Sequence, residues 1–101
     1  MGYRVVFSAL AERDLEEIVR FLARKNRMAA ERLGNALVDD ALSLATLPRR
    51  GLAIKRRPGW RRILHQPWFL IFYRIEEDQR LVEVVRFWDS RKDPQSLWRD
   101  T

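Results

Sequence analysis

Trp68-Phe69-Leu70-Ile71-Phe72-Tyr73 is the longest uninterrupted apolar stretch in the chain. A strand turns alternate side chains to opposite faces, so six apolar residues in succession offer apolar side chains to both, as a central strand does. The stretch is also far too short to span a membrane. Its neighbours in the sheet are legible. Trp60 to His65 precedes it with only Gln66-Pro67 between, and Leu81 to Trp88 follows after the polar connection Glu76 to Arg80. The economical arrangement is a three-strand antiparallel meander with Trp68 to Ile75 in the middle.

The periodicity upstream is different. Tyr3-Arg4-Val5-Val6-Phe7 alternates as a short strand, with Tyr3, Val5 and Phe7 on one side. Ser8 then offers an N-cap to a helix whose apolar positions are Ala11, Leu15, Ile18, Val19 and Leu22, with Glu12, Asp14, Glu16 and Glu17 suited to its N-terminal turns. This helix is expected to end near Lys25-Asn26, where Asn26 caps a second one. The second stripe is Ala30, Leu33, Leu37, Ala41, Leu44 and Leu47, stopped by Pro48 and Gly51. Helices joined this tightly are expected to be antiparallel. Val38, Leu42 and Ala45 widen the second apolar arc, so that helix either packs on both helix and sheet or leaves a strip for a partner. Asp40, at the stripe's other margin, reads as a solvated boundary residue. Gly51 to Gly59 reads as a loop, and Asp93-Pro94 opens a short terminal helix over Asp93 to Arg99. The expected fold is α+β in the order β-α-α-β-β-β(-short α), a helical hairpin on one face of a mostly antiparallel four-stranded sheet. Residues 1–101 form a single domain in this reading.

Charge is unevenly distributed along this layout. Residues 1–48 hold seven Lys/Arg against seven Asp/Glu, and residues 49–101 hold thirteen against seven, which accounts for the net charge of +6. Seven of those cations (Arg49, Arg50, Lys55, Arg56, Arg57, Arg61 and Arg62) fall in one segment without an acid. Clustered positive potential attracts polyanions or acidic protein surfaces, although a solvated charge run is the usual default. There is no cysteine and one histidine, His65, which argues against disulfides, thiolate sites and a histidine-rich metal centre. No metal or other cofactor is expected. The N-terminus has no basic region followed by an apolar run, so a cytoplasmic location without membrane attachment is expected.

Several scattered positions, taken in order, resemble the RelE/ParE superfamily, the toxin halves of bacterial type II toxin–antitoxin modules, and especially its ParE-like plasmid stabilisation branch. They are Ala11-x-x-Asp14-Leu15-x-x-Ile18, Ala30, Leu47-Pro48-x-x-Gly51, Arg61-Arg62, Ile71-x-Tyr73-Arg74, and Val85-Arg86-Phe87-Trp88-Asp89-Ser90-Arg91-Lys92-Asp93-Pro94. The closing segment is the most distinctive. Leu15, Ile18, Ala30 and Leu47 also have plain roles as core positions, Pro48 and Gly51 as helix terminators, and Asp14 as a helix-start acid. The resemblance implies one of two activities. RelE-like members cut messenger RNA on the ribosome; ParE-like members poison DNA gyrase and so inhibit growth.

Cleaving RNA through its own 2′-hydroxyl requires a base, an acid for the departing oxygen, and cations for the phosphorane charge. RelE-like nucleases carry a catalytic Arg in the central strand, where this chain has Leu70, and end in a Tyr or His; after Tyr73 neither residue occurs here. A nuclease would have to use His65 and Tyr73 with Arg61 and Arg62. His65 and Arg61 share a strand face by their even separation. The competing reading makes His65 a hydrogen-bonded surface residue and Tyr73 a core residue with a bonded hydroxyl.

A ParE-like inhibitor instead needs a binding surface, for which Arg86, Trp88, Arg91, Lys92 and Trp98 supply cations and amphipathic aromatics. Against this, Trp88 and Trp98 can simply close the core, with Asp89 and Asp93 pairing Arg91 and Lys92. Arg86 is expected on the strand face of Val82, Val84 and Trp88, either snorkelling or paired. The partner implied is an antitoxin with an acidic tail that folds as it binds, with Val38, Leu42, Arg56 and Arg57 as candidate contacts. The gyrase-directed toxin is the preferred reading, a ribosome-dependent endoribonuclease the second, and a non-toxic RNA-binding accessory domain the third.

Overall fold

A computed structural model describes residues 2–99. Strand β1 (Arg4–Phe7) stops at Ser8, whose hydroxyl accepts from the Ala11 N–H and so caps helix α1 (Ala9–Ala23). Asn26 caps α2 (Arg27–Leu42) in the same way, accepting from the Ala29 N–H. Because the Asn26 backbone is extended, the chain must leave the helix before it. That is why α1 ends a little earlier than the sequence suggests. The two helices approach closely at Gly34, where a Cβ would stand 2.9 Å from a methyl of Val19.

Five strands make one sheet, in the order β1-β5-β4-β3-β2. The meander is as expected: β3 (Trp60–His65), β4 (Phe69–Glu76) and β5 (Leu81–Asp89) pair antiparallel, and β1 joins β5 in parallel. The addition is β2 (Leu52–Ala53), an edge strand pairing antiparallel with Arg61 and Arg62 inside the segment expected to be a loop. Two residues carry no periodicity, so hydropathy patterning cannot detect them. The close approach depends on Gly51, where a Cβ would fall 2.6 Å from both the Arg62 carbonyl oxygen and the Tyr73 hydroxyl.

Both sheet faces are covered. Ile63, Phe69, Ile71, Tyr73, Val82, Val84 and Phe87 meet Ala11, Leu37, Ala41 and Leu44 in the main core, with Tyr3, Val5 and Phe7 packed alongside. On the opposite face Phe72 and Trp88 pack with Leu97 of helix α3 (Pro94–Arg99), flanked by Ile54, Leu70 and Trp98. The terminal helix therefore forms a second, partial layer against the face turned away from the hairpin. Asp93 caps it by accepting from the Gln95 N–H.

A β-bulge divides β5. Tyr73 pairs with Val84 and Phe72 with Arg86, which leaves Val85 as the extra residue. Beyond the bulge the alternation is inverted, so Arg86 and Trp88 lie on the α3 face whereas Val82 and Val84 lie on the hairpin face. The expectation of one shared face for these four residues is corrected accordingly. Nothing in the segment Leu81-Val82-Glu83-Val84-Val85 marks the inversion.

Candidate binding surface

Asp14 is buried, not a helix-start acid in solvent. It sits on α1 where β1 has ended, and it accepts from the Phe87 backbone N–H at 3.1 Å, a donor on the edge of β5 beyond its pairing with β1. The Arg86 side chain donates to both Asp14 oxygens, from Nε at 2.7 Å and Nη2 at 2.9 Å, and from Nη1 to the Leu97 carbonyl at 3.0 Å. At 3% exposure, Arg86 cannot touch a partner directly. Trp88 is likewise buried, beneath α3. Both fall from the set of predicted contact residues into the set that holds the surface together.

The remaining candidates of that group reach solvent. Arg91 grips Asp89 from Nε and Nη2 at 2.9 and 2.7 Å while its guanidinium lies 3.9 Å from the centre of the Trp68 ring. The fork from Arg91 holds the Asp89 carboxyl below its ordinary range against the opposing effect of burial, and Asp89 in turn raises Arg91. Lys92 is exposed. Trp98 is half-buried, edge-on to Phe72 and under the guanidinium of Arg57, which also covers Trp60. Arg57 thus fastens the loop after β2 to α3.

The four residues of a nuclease do not all converge. Arg61, His65 and Tyr73 lie on the hairpin face, and Arg62 lies on the other with Leu64 and Leu70. Tyr73 is fully buried, donating to the Pro48 carbonyl at 2.5 Å and accepting from the Gly51 N–H at 3.1 Å. Burial raises its hydroxyl above the ordinary range. Arg61 donates to the Arg49 and Gly51 carbonyls. His65 Nδ1 is 3.0 Å from Asp40, whose other oxygen accepts from Arg50 at 2.8 Å. Asp40 is therefore no free boundary residue: burial pushes its carboxyl up, but the His65 and Arg50 hydrogen bonds outweigh this and leave it lowered. These groups fasten the helix–sheet junction, which is the structural reading of Tyr73 and His65.

The basic segment divides. Arg49 pairs with Glu77, and Arg50 with Asp40. Lys55, Arg56 and Arg62 make no ion pair among the described residues. Of the candidate antitoxin contacts, Val38 and Leu42 sit on α2, and Arg57 lies on the α3 side of the sheet over Trp98, so the four do not form one patch.

Two concavities flank the end of β5. One, of about 840 Å³, lies between α1 and the β3–β4 turn, with Phe21, Leu22, Leu33 and Trp68 in its walls and Arg24 and Lys92 at its margin. Phe21 is 64% exposed there, and the buried Trp68 indole N–H has no acceptor among the described residues. Sequence reasoning missed this groove because its walls come from four separate segments. The other, of about 330 Å³, lies on the opposite face between the β2–β3 loop and α3. Lys92 borders both. Among the described residues no group of His, Cys, Asp or Glu is placed to hold a metal ion, and no helix is long and apolar enough to cross a membrane.

The fold is similar to solved toxins. A chain of the chromosomal ParDE system from P. aeruginosa aligns with a TM-score of 0.72 at 17% identity, covering 84% of this chain and 92% of that one. The RelBE2 toxin–antitoxin complex of Mycobacterium tuberculosis gives 0.66 at 24% identity, covering 86% and 96%. Isolated E. coli RelE gives 0.54 at 19%, covering 98% and 99%. At such identities these likenesses establish the fold alone. No curated protein matches the chain significantly. The model of one sequence family, described as the ParE toxin of the type II toxin–antitoxin system parDE, matches residues 5–94. Since that match takes in the helical hairpin, the Arg86–Asp14 clamp and all of the sheet but its first residue, the chain belongs to the ParE toxin family of type II toxin–antitoxin systems.

Proposed function

We propose that this toxin acts by binding, and that its target is DNA gyrase. Membership of the ParE family carries the reading. It is supported by the dispersal of His65, Tyr73, Arg61 and Arg62 over two sheet faces, with three of the four already committed to structural hydrogen bonds. The surface that contacts the target is the basic turn after β5, where Arg91 and Lys92 project beside Trp68. Arg86 and Trp88 act from beneath by fixing α3 and the strand end. An antitoxin with an acidic segment keeps the toxin inactive in the cytoplasm, drawn to a chain of net charge +6.

Controlled expression in bacteria tests this reading. The expected result is arrested growth with altered plasmid supercoiling or cleaved DNA while translated messages stay intact. Fragmented messages with normal supercoiling would replace gyrase by the ribosome, and unaffected growth would favour a non-toxic accessory role.

A further inference from the structure

The helical hairpin carries a second basic cluster, which the balanced charge of residues 1–48 conceals. From Ile18 to Ala30 there are four cations, Arg20, Arg24, Lys25 and Arg27, and no acid. Arg24, Lys25 and Arg27 are exposed at the hairpin tip and make no ion pair among the described residues. Arg24 suits the C-terminal end of α1, but Arg27 opens α2, where a cation opposes the helix dipole and no acid in the first turn offsets it. Helix stability gains nothing from that placement. Beside the tip lies the larger concavity, of about 840 Å³, in whose lining Arg20, Arg24, Arg91 and Lys92 outnumber the acids Glu17 and Asp89. Asp89 is already held by Arg91. Phe21, 64% exposed, stands three residues before Arg24 and so shares its side of the helix, and both line the groove. Open cations around an apolar groove with an uncovered aromatic ring are the two requirements for holding a nucleic-acid strand, one for its phosphates and one for its bases.

We propose that the groove and the hairpin tip bind a single strand of DNA, with a base against Phe21 and the backbone phosphates along Arg24, Lys25 and Arg27. Every nucleotide brings a flat ring together with its charge, so one strand satisfies the walls and the cations at once. A duplex fits less well, because its bases are stacked on one another and closed to Phe21. An acidic peptide meets the cations but brings no such ring with each charge. The choice of DNA rests on the reading of gyrase, an enzyme that works on DNA, as the target. The groove is continuous with the turn assigned to that contact, since Arg91 of the turn lies over the ring of Trp68 in the groove wall. The toxin thereby touches the DNA that the enzyme holds as well as the enzyme.

The test measures binding of fluorescein-labelled oligothymidylate to the purified full-length protein by anisotropy, at several salt concentrations. Binding is expected at low salt and should weaken steeply as salt rises. Arg24→Glu and Arg27→Glu, both at exposed positions, are each expected to weaken it by about tenfold and to flatten the salt dependence. Phe21→Ala is expected to weaken it by about tenfold with the salt dependence unchanged. Circular dichroism checks that each variant is folded. In NMR spectra of the isotopically labelled protein, the Trp68 indole N–H signal is expected to shift and those of Trp88 and Trp98 to stay. The proposal is overturned by no binding, by an Arg27→Glu or Phe21→Ala protein that binds as the parent does, or by Trp68 shifts that follow protein concentration alone. Tighter binding of oligouridylate, of a DNA duplex or of an alternating Leu-Glu peptide overturns it too, as does capture by phosphatidylglycerol vesicles that oligothymidylate does not reverse. Gyrase is absent from this assay. A chain that binds no strand yet still arrests growth and alters supercoiling removes the groove alone, whereas a chain that binds the strand and leaves supercoiling untouched removes the gyrase reading.

Discussion

The Arg86 guanidinium and the Asp14 carboxylate meet through two hydrogen bonds of 2.7 and 2.9 Å, joining the first helix to the last strand across 72 residues of sequence. Arg86 Nη1 also donates to the Leu97 carbonyl, and Asp14 also accepts from the Phe87 N–H. One buried pair thus ties α1, β5 and α3 together. In the sequence Asp14 reads as a helix-start acid and Arg86 as a snorkelling or paired charge, but neither position announces a partner so far away.

Removing one member of a buried pair leaves the other charge desolvated, which costs about 3–5 kcal/mol. Asp14→Asn and Arg86→Ala are each expected to lower the unfolding free energy by that amount, read from urea denaturation. Combining Asp14→Leu with Arg86→Met, which removes both charges and keeps bulk, is expected to recover part of the loss. An Arg86→Ala protein as stable as the parent would show that the clamp is not formed.

Tyr73→Phe removes a hydroxyl that serves the Pro48 carbonyl and the Gly51 N–H in a buried site. Leaving those groups unsatisfied is expected to destabilise the fold by about 1–3 kcal/mol, read from chemical denaturation. RNA incubated with parent and variant is expected to remain equally intact. A cleavage activity present in the parent and absent from the variant would return Tyr73 to a catalytic role.

Asp40 gives a pH dependence of defined sign. Its folded pKa lies below the ordinary 3.8, so the stability it contributes is present above the unfolded value and lost as the pH falls through the folded one. Asp40→Asn is expected to cost about 1 kcal/mol at neutral pH. The gap from the parent should close at the acid end, as followed by thermal melts across the acid range. A gap that widened on acidification would reverse the assignment.

Arg91 and Lys92 project from the turn after β5, and the ion pair that Arg91 makes, with the neighbouring Asp89, lies at an exposed position. Ion pairs at exposed positions contribute little to stability, so Arg91→Glu with Lys92→Glu is expected to leave the fold intact. Toxicity, measured as surviving colonies after induction, should fall by about tenfold or more if the turn meets its target through charge. Undiminished killing would place the contact surface elsewhere.

The parts of this fold that repeat were legible in the sequence. The hairpin helices follow a helical apolar period over several turns, and their caps, Ser8 and Asn26, act as their chemistry suggests. The apolar run Trp68 to Tyr73 does become the middle of the meander, and Tyr73 keeps its hydroxyl bonded in the core. What could not be read was local in sequence or distant in space. A single extra residue at Val85 exchanges the faces of everything after it, which moved Arg86 and Trp88 away from their expected neighbours. Asp40 finds His65 after 25 intervening steps of chain, and no spacing rule reports such a meeting. The concavities beside Lys92 belong to the same class, being products of tertiary assembly.

The parallel pairing of β1 with β5 sets a limit on how this polypeptide can mature. Arg4 to Phe7 find their strand partners only at Leu81 to Val84, so during synthesis the opening strand must wait, unpaired, until most of the chain has been made. Pairings that close such long loops form late and slowly. A ribosome that stalls midway would therefore release fragments unable to complete the sheet, and the capacity to harm the cell would arrive only with the finished molecule.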